Sequence, residues 1–294
     1  MATVTLMQFL QNDPNALRYY HRGQRPTTTS NKLFEIAAVR EIRAWPEFSL
    51  QNIVNRFGNL LNNVQIATDV QPVTPPPRFA AEDYLRELVA IYADRPVRRA
   101  LASTFEHMTA DPNHPDPDLA GRTPTTLGAG SSAKLISKFV PDRAIYDPSL
   151  DEPINRLPGE IKPSWKWKWD WAIAEGSARS SMALVRLSQL TFYMLQQGYR
   201  EPHSGARYGY MLTDQELVAF RKISRRVICM SERVPWGGQQ GNGPERLTVL
   251  LALWYLGMLA SDDDDWNLDA QPDDPTDAQL ITQASASSQP ARQR

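Results

Sequence analysis

A single cysteine, Cys229, stands in 294 residues. No internal disulfide framework can form, which excludes the disulfide-stapled secreted scaffolds and suits a reducing compartment; an intracellular location, cytoplasm or nucleus, is expected. Cys229 falls in a predicted strand, RRVICMSE, where a buried, inert thiol is expected. The four histidines offer no second ligand pair at zinc spacing, and His107, His114 and His203 are expected at the surface. Long apolar runs are missing too. The longest, Leu247 to Ala260, has fourteen residues, short of the roughly 20 that a membrane helix needs. The opening MATVTLMQFLQND has neither the basic flank nor the small-residue cleavage pattern of a signal peptide, so no membrane partner is expected. No repeat, P-loop, nucleophile elbow or kinase signature occurs. A net charge of −1 gives no overall attraction to a polyanion.

What is present describes a soluble globular chain with polar appendages: 41% hydrophobic and 22% charged residues, enough for one or two domains with a sizeable core. Three regions are expected. Residues 1–76 form a helical accessory region, with a short helix in MQFLQNDPNALRYYH, a longer one in NKLFEIAAVREIRAW and a third in SLQNIVNRFGNLLNNVQIA. In the third, Ser49 is the expected N-cap, and Ile53, Val54, Phe57, Leu60 and Leu61 share one face. This region is a candidate surface for a protein partner. The proline-rich QPVTPPPRF marks a boundary, and residues 77–262 form the main domain. From Asp262 the chain turns acidic, then Gln/Ser/Ala-rich, and residues 263–294 are expected to be a disordered tail. Charge is unevenly spread, with twelve Lys/Arg against seven Asp/Glu over 160–236 and eight Asp without a base over 262–277.

Within the main domain a helix is expected from Ala80 to about Ala93, with Tyr84, Leu85, Leu88, Val89 and Tyr92 on its apolar side. A second is expected to start near Pro96, a residue suited to a first helical turn. Residues 109–132 read as one loop from their Pro, Gly, Ser, Thr and Asp content. SAKLISKFVPDRAIYD supplies a strand, and DEPINRLPG leads into Glu160-Ile161-Lys162. Side chains alternate along a strand, so Glu160 and Lys162 share a face, and an acid on the neighbouring strand can join them. Asp142 directly after Pro141 is preferred for that acid, with Asp147 as the alternative. Chance alone supplies about one acid-x-lysine triplet in such a composition, so the setting is what counts: Pro158-Gly159 before the triplet and Pro163 after it. SWKWKWDW follows, which if extended sends its tryptophans one way and Lys166, Lys168 and Asp170 the other. It is either an aromatic plug under the sheet or a base-stacking, phosphate-contacting strip. In the helix ARSSMALVRLSQLTFYMLQQGY, Leu184, Leu187, Thr191 and Leu195 form the apolar side. Arg179, Met182, Arg186, Gln189 and Tyr193 form a second stripe suited to phosphate contact. GARYGYMLTDQELVAFRKI reads as a hairpin turning at Thr213-Asp214, and RLTVLLALWYLGMLA as an apolar helix packed on the sheet.

This order of Pro-Asp, Glu-x-Lys and a helix with Gln189 and Tyr193 resembles the PD-(D/E)XK nuclease superfamily, in its branch carrying a Gln-x-x-x-Tyr helix. LPGEIKPSWKW, LSQLTFYM, ARYGYMLTDQELVAFRKI and LTVLLALWYLGMLASDDDDW resemble a nuclease-like module abundant in fungal genomes. The likeness covers about 80–260. It implies an α/β, restriction-endonuclease-like fold with a central mixed sheet flanked by helices. It also implies Mg²⁺- or Mn²⁺-dependent hydrolysis of DNA or RNA. Asp142, Glu160 and the Ile161 carbonyl would bind the metal. An acid on the preceding helix, Glu82 or Glu87, would join them. Lys162 would position or deprotonate the attacking water, Gln189 would orient the lysine or the scissile phosphate, and Tyr193 would shape the groove. Arg179, Arg186, Lys166 and Lys168 are the candidate substrate contacts. The rival expectations are a catalytically silent module of the same fold that binds protein or nucleic acid, and an accessory domain working beside a kinase.

Overall fold

The computed structural model describes residues 2–12, 17, 39–68, 78–110, 120–134, 140–174, 178–195, 204–224, 226–237 and 244–269. The first quarter holds β1 (Thr3–Thr5), α1 (Leu6–Leu10), β2 (Glu41–Ala44), α2 (Leu50–Asn63) and β3 (Gln65–Ala67). Next come α3 (Glu82–Val89), α4 (Arg95–Met108), β4 (Thr126–Ala129), β5 (Arg143–Tyr146) and β6 (Leu157–Ile161). Then follow α5 (Trp169–Ile173), α6 (Ala178–Leu195), β7 (Ser204–Ala206), β8 (Tyr208–Leu212), β9 (Glu216–Ser224) and β10 (Val227–Met230). β11 (Val234–Pro235), α7 (Val249–Ser261) and β12 (Asn267–Asp269) complete the order. The architecture is mixed α/β. An eight-stranded sheet in the order β2-β10-β9-β8-β6-β5-β4, with β11 joined to β9, lies between helices. β6 and β8 run parallel, as do β10 and β2, and the other neighbours are antiparallel.

Alternation along the strands divides the core in two. Tyr208, Tyr210, Leu212, Leu217 and Ala219 join Ile145, Leu157 and Ile161 on the side of α4 and α7. Met211, Val218 and Phe220 face the other way, onto Ala183, Leu187 and Leu190 of α6. Every residue of α7 is buried, as expected for a helix apolar all round. Its Gly257 lets α4 approach, since a Cβ there would stand 2.7 Å from Leu101 Cδ2. Among the described residues no helix is long and apolar enough to cross a membrane.

Several expectations change. Glu41–Ala44 falls within the longer helix expected near the start, but it is a strand pairing parallel with β10, Ile42 opposite Ile228. The exposed backbone edge of β10 satisfies its donors and acceptors and overrides local helical periodicity; residues 31–38 of that stretch lie outside the described residues. The apolar faces of α1 and α2 are spent internally: Leu6, Leu10, Ile53, Phe57, Leu60 and Leu61 are buried in the same cluster as Trp254. They leave no apolar stripe for a partner on these two helices. Ser49 does cap α2, accepting from Asn52 N at 3.4 Å. The 109–132 loop contains β4, which pairs with β5, while residues 111–119 lie outside the described residues. Tyr84 is exposed rather than on the apolar side, and Ala90–Asp94 is a π-turn that joins α3 to α4.

The acidic run is docked where it leaves α7. Asp262 pairs with Arg56 (3.0 Å) and Arg122 (3.4 Å), Asp263 with Arg156 (2.7 Å), and Asp265 with Arg207 (3.2 Å) and the Tyr208 hydroxyl. Arg122 also donates to Met258 O at 2.7 Å, covering a free carbonyl in the last turn of the helix. β12 then pairs with β7; residues 270–294 of the expected tail lie outside the described residues. Converting Asp262 and Asp263 together to asparagine is expected to destabilise the fold by about 2 kcal/mol, with a smaller loss in high salt. Thermal melts at two ionic strengths check this, and an unchanged melting temperature would refute a structural role for the run.

Candidate active site

The site is built on the end of β6. Gly159 is required there because the Tyr210 ring of β8 crosses it; a Cβ would lie 2.2 Å from the Tyr210 Cζ. Parallel pairing with β8 places Glu160 beside Met211 and continues past the strand, where Lys162 N donates to Leu212 O at 3.0 Å. Glu160 and Lys162 emerge on one face, 2% and 5% exposed, and ion-pair through Glu160 Oε1 and Lys162 Nζ. Asp142 arrives from β5. Arg143 is paired with Gly159, so the antiparallel register extended by one residue sets Asp142 opposite Glu160. Asp142 Oδ2 accepts from Ile161 N at 2.9 Å.

Two features that the sequence reading missed hold Asp142. Gly130, at the end of β4, packs so closely that a Cβ would lie 1.8 Å from the Pro141 carbonyl oxygen, and its N donates to Asp142 O at 3.2 Å. Arg143 is 7% exposed. It donates to Asp94 Oδ2 (2.6 Å), Asp142 O (2.9 Å) and Arg86 O (2.8 Å), tying α3, the π-turn and β5 together. Burial pushes the Asp94 carboxyl up to about 6 in spite of the guanidinium beside it.

From α3, Glu82 reaches the same cluster. Its Oε1 accepts from Lys162 Nζ (3.1 Å) and Oε2 from Lys166 Nζ (2.6 Å). Glu87, the alternative acid, is exposed. Arg86, one turn after Glu82, pairs with Glu82 (2.9 Å), Asp83 (2.7 Å) and Asp142 Oδ1 (2.7 Å). The Glu82-x-x-x-Arg86 spacing was a helix-pair signal in the sequence, but its third partner, Asp142, was not visible there. From α6, Gln189 Nε2 donates to Glu160 Oε1 and lies 2.9 Å from the Tyr193 hydroxyl.

Burial and then the neighbouring Asp142 charge push the Glu160 carboxyl up to about 7. Burial would discharge Lys162, but Glu160, Asp142 and Glu82 outweigh it, and its pKa rises above the ordinary lysine value. Glu82 is lowered: its burial opposes ionisation, and Lys162 and Lys166 overcome that. Glu160 therefore binds its proton more tightly folded than unfolded. Its stabilising contribution is complete below about pH 4.5 and is lost as pH rises through about 7. Glu160→Gln keeps the shape but lacks both the titrating carboxyl and the ion pair to Lys162, so its stability relative to the parent is expected to rise from pH 5 to pH 8. Melting curves across that range check this, and a parallel pair of profiles would refute it.

Other expected contacts are placed differently. Arg186 is 7% exposed, too enclosed for a free surface contact to phosphate, and the Arg179 side chain lies outside the described residues. Lys166 is committed to Glu82, and Lys168 is half-buried with its charge near Asp214 and Glu216. SWKWKWDW is not an alternating strand. It turns after Pro163 and enters α5; Trp167 is fully buried on the α6 side, while Trp165 stacks on Phe79 on the other. Asp214 sits in the β8–β9 turn and fixes that bend, accepting from Ser164 N (2.6 Å) and Ser164 Oγ (2.9 Å). Asp147 caps its own turn by accepting from Ser149 N at 2.9 Å.

Among the described residues no three acidic, histidine or cysteine side chains stand grouped as metal ligands, and cations are interleaved between the acids of this cluster. The donor chemistry nonetheless fits a hard divalent ion. Asp142 and Glu160 are hard oxygen donors on one face, and Glu160 Oε2 is buried without a hydrogen-bond partner. The departure is Arg86, whose Nε stands 2.7 Å from the Asp142 oxygen not used by Ile161 N, an ion pair without a hydrogen bond. No family model matches the sequence, and no curated protein matches it.

Proposed function

We propose that this chain hydrolyses phosphodiester bonds of DNA or RNA at the Asp142–Glu160–Lys162 cluster, on a restriction-endonuclease-like fold of the PD-(D/E)XK kind, with Mg²⁺ or Mn²⁺ as cofactor. The observation that carries the reading is the convergence of two carboxylates from adjacent strands with a buried lysine and a helix glutamine on the same carboxylate. Asp142, Glu160 and the Ile161 carbonyl would hold the ion, which when bound polarises a phosphoryl oxygen and makes water a better nucleophile. Lys162 serves as a fixed positive donor, not as a base: three surrounding carboxylates keep its ammonium protonated at neutral pH. Its place is to orient water and to stabilise charge gathering on the phosphate. Glu82 and Glu160 fix the ammonium; Gln189, next to the Tyr193 hydroxyl, fixes the Glu160 carboxylate.

The test is Mg²⁺- or Mn²⁺-dependent cleavage of single- and double-stranded DNA and RNA by the purified full chain. Metal-dependent product that vanishes with chelator supports the reading, and no product from any polymer refutes it. A second reading, a module of the same fold that binds without cutting, is favoured by one observation. Asp142 Oδ2 and both oxygens of Glu82 already accept from nitrogen donors, and Asp142 Oδ1 is ion-paired with Arg86. It predicts no cleavage and no response to divalent ions.

A further inference from the structure

We infer that Arg86 is a built-in cationic gate, a guanidinium that holds the outer oxygen of Asp142 and that a divalent ion must displace to reach both carboxylates. This rests on the metal-dependent reading above and adds a control element to it. With its carboxylates ionised, the cluster sets Glu82, Asp142 and Glu160 against Arg86, Lys162 and Lys166, three negative charges against three positive. A dication added to this balanced set would leave an excess of two positive charges in a mostly buried place, which is unfavourable. With Arg86 swung outward, the same dication leaves one, which a phosphodiester anion then cancels. Metal and substrate together thus favour the open arrangement.

Burial identifies Arg86 as the group that yields. Its side chain is 33% exposed, against 7% for Lys162 and 2% for Glu160. Its other partners sit on its own helix, Glu82 four residues and Asp83 three residues back, so an outward rotation can keep the exposed Asp83. Its main chain stays fixed, because Arg86 O accepts from the buried Arg143. Asp142 stays too, held by Ile161 N and through its own carbonyl by Arg143 and Gly130. The moving part is one side chain over a stationary pair of acids, with Glu160 Oε2 unpartnered behind it.

The experiment is titration calorimetry of Mn²⁺ into the full chain, as wild type, Arg86→Gln and Arg86→Lys, with melting curves with and without Mn²⁺. Arg86→Gln is expected to bind Mn²⁺ at least about tenfold more tightly than wild type. Arg86→Lys, which keeps the charge but not the fork that reaches three acids, should fall between. Without metal Arg86→Gln should melt lower than wild type, and Mn²⁺ should raise its melting temperature by more. Folded Arg86→Gln binding Mn²⁺ no more tightly than a wild type that does bind would overturn the gate and leave the metal reading standing. No Mn²⁺ bound by any of the three would overturn both. If Arg86→Gln does not fold, Arg86→Lys decides: affinity equal to or below wild type overturns the gate, and tighter binding upholds it.

Discussion

On the phosphodiesterase reading, Lys162→Met is expected to lower cleavage by roughly 10²- to 10⁴-fold while polynucleotide binding falls only a few-fold, the largest functional effect expected from the cluster. The lysine is one positive charge among several near the site, so its share of ground-state binding is small. Its share at the transition state would be large on this reading, because the ammonium is fixed by Glu160 and Glu82 before any substrate arrives and needs no reorganisation. The substitution also leaves two buried acids facing one another, and breaking a buried pair costs about 3–5 kcal/mol. Glu160, already pushed up to about 7, takes up a proton and lessens that cost as pH falls. Lys162→Met should therefore be nearer to parental stability at pH 5.5 than at pH 8. Cleavage assays run beside circular dichroism at both values separate lost chemistry from lost fold. A folded Lys162→Met protein that cuts at the parental rate would end the phosphodiesterase reading.

Gly130→Ala has the largest expected structural effect. The added methyl would meet the Pro141 carbonyl oxygen at 1.8 Å and its carbon at 2.7 Å, and neither is a flexible side-chain end that can step aside. Either β4 parts from the Pro141-Asp142 turn or the turn moves and takes Asp142 out of register with Glu160. Overpacking against backbone in a buried place costs about 3 kcal/mol or more, and on the phosphodiesterase reading cleavage is expected to fall with it. Gly58→Ala in α2 is the matched control. There the nearest atom is Val54 Cγ1 at 3.6 Å, so the added methyl meets ordinary contact and raises stability by about 0.5–1 kcal/mol. Chemical denaturation of the two variants checks the contrast. Equal stabilities would show that the 130–141 approach relaxes freely.

Much of the sheet and the helices beside it was legible because local pattern and tertiary role agree there. The apolar run ending in Ala260 gives α7, the Tyr208-Tyr210-Leu212 alternation gives β8 and its turn into β9, and the Glu160-Ile161-Lys162 triplet is placed by period-two alternation. Ser49 capped its helix where a side-chain oxygen before an apolar run predicts it. Where the reading failed, partners distant in sequence decided. Glu41–Ala44 has no strong strand pattern of its own and is extended because β10 offers it an edge. Asp262 to Asp265 reads as solvated charge until Arg56, Arg122, Arg156 and Arg207 are seen to converge on it. SWKWKWDW alternates on paper, yet Pro163 and the Asp214 carboxylate bend it, sending two tryptophans into two different cores.

The sequence by itself determined which residue types were available for the site and which pairs share a face: Glu160 with Lys162 along a strand, Glu82 with Arg86 and Gln189 with Tyr193 along helices. Those relations depend only on backbone periodicity, 2.0 residues in a strand and 3.6 in a helix, and no distant contact alters them. The tertiary structure alone decided that these three pairs meet. Asp142 faces Glu160 through the β5–β6 register, Gly130 and Arg143 hold it there, and Arg86 reaches its outer oxygen from α3. Charge balance in that enclosed space depends on every group that packs into it, from residue 82 to residue 189, and no local window of the chain contains them all.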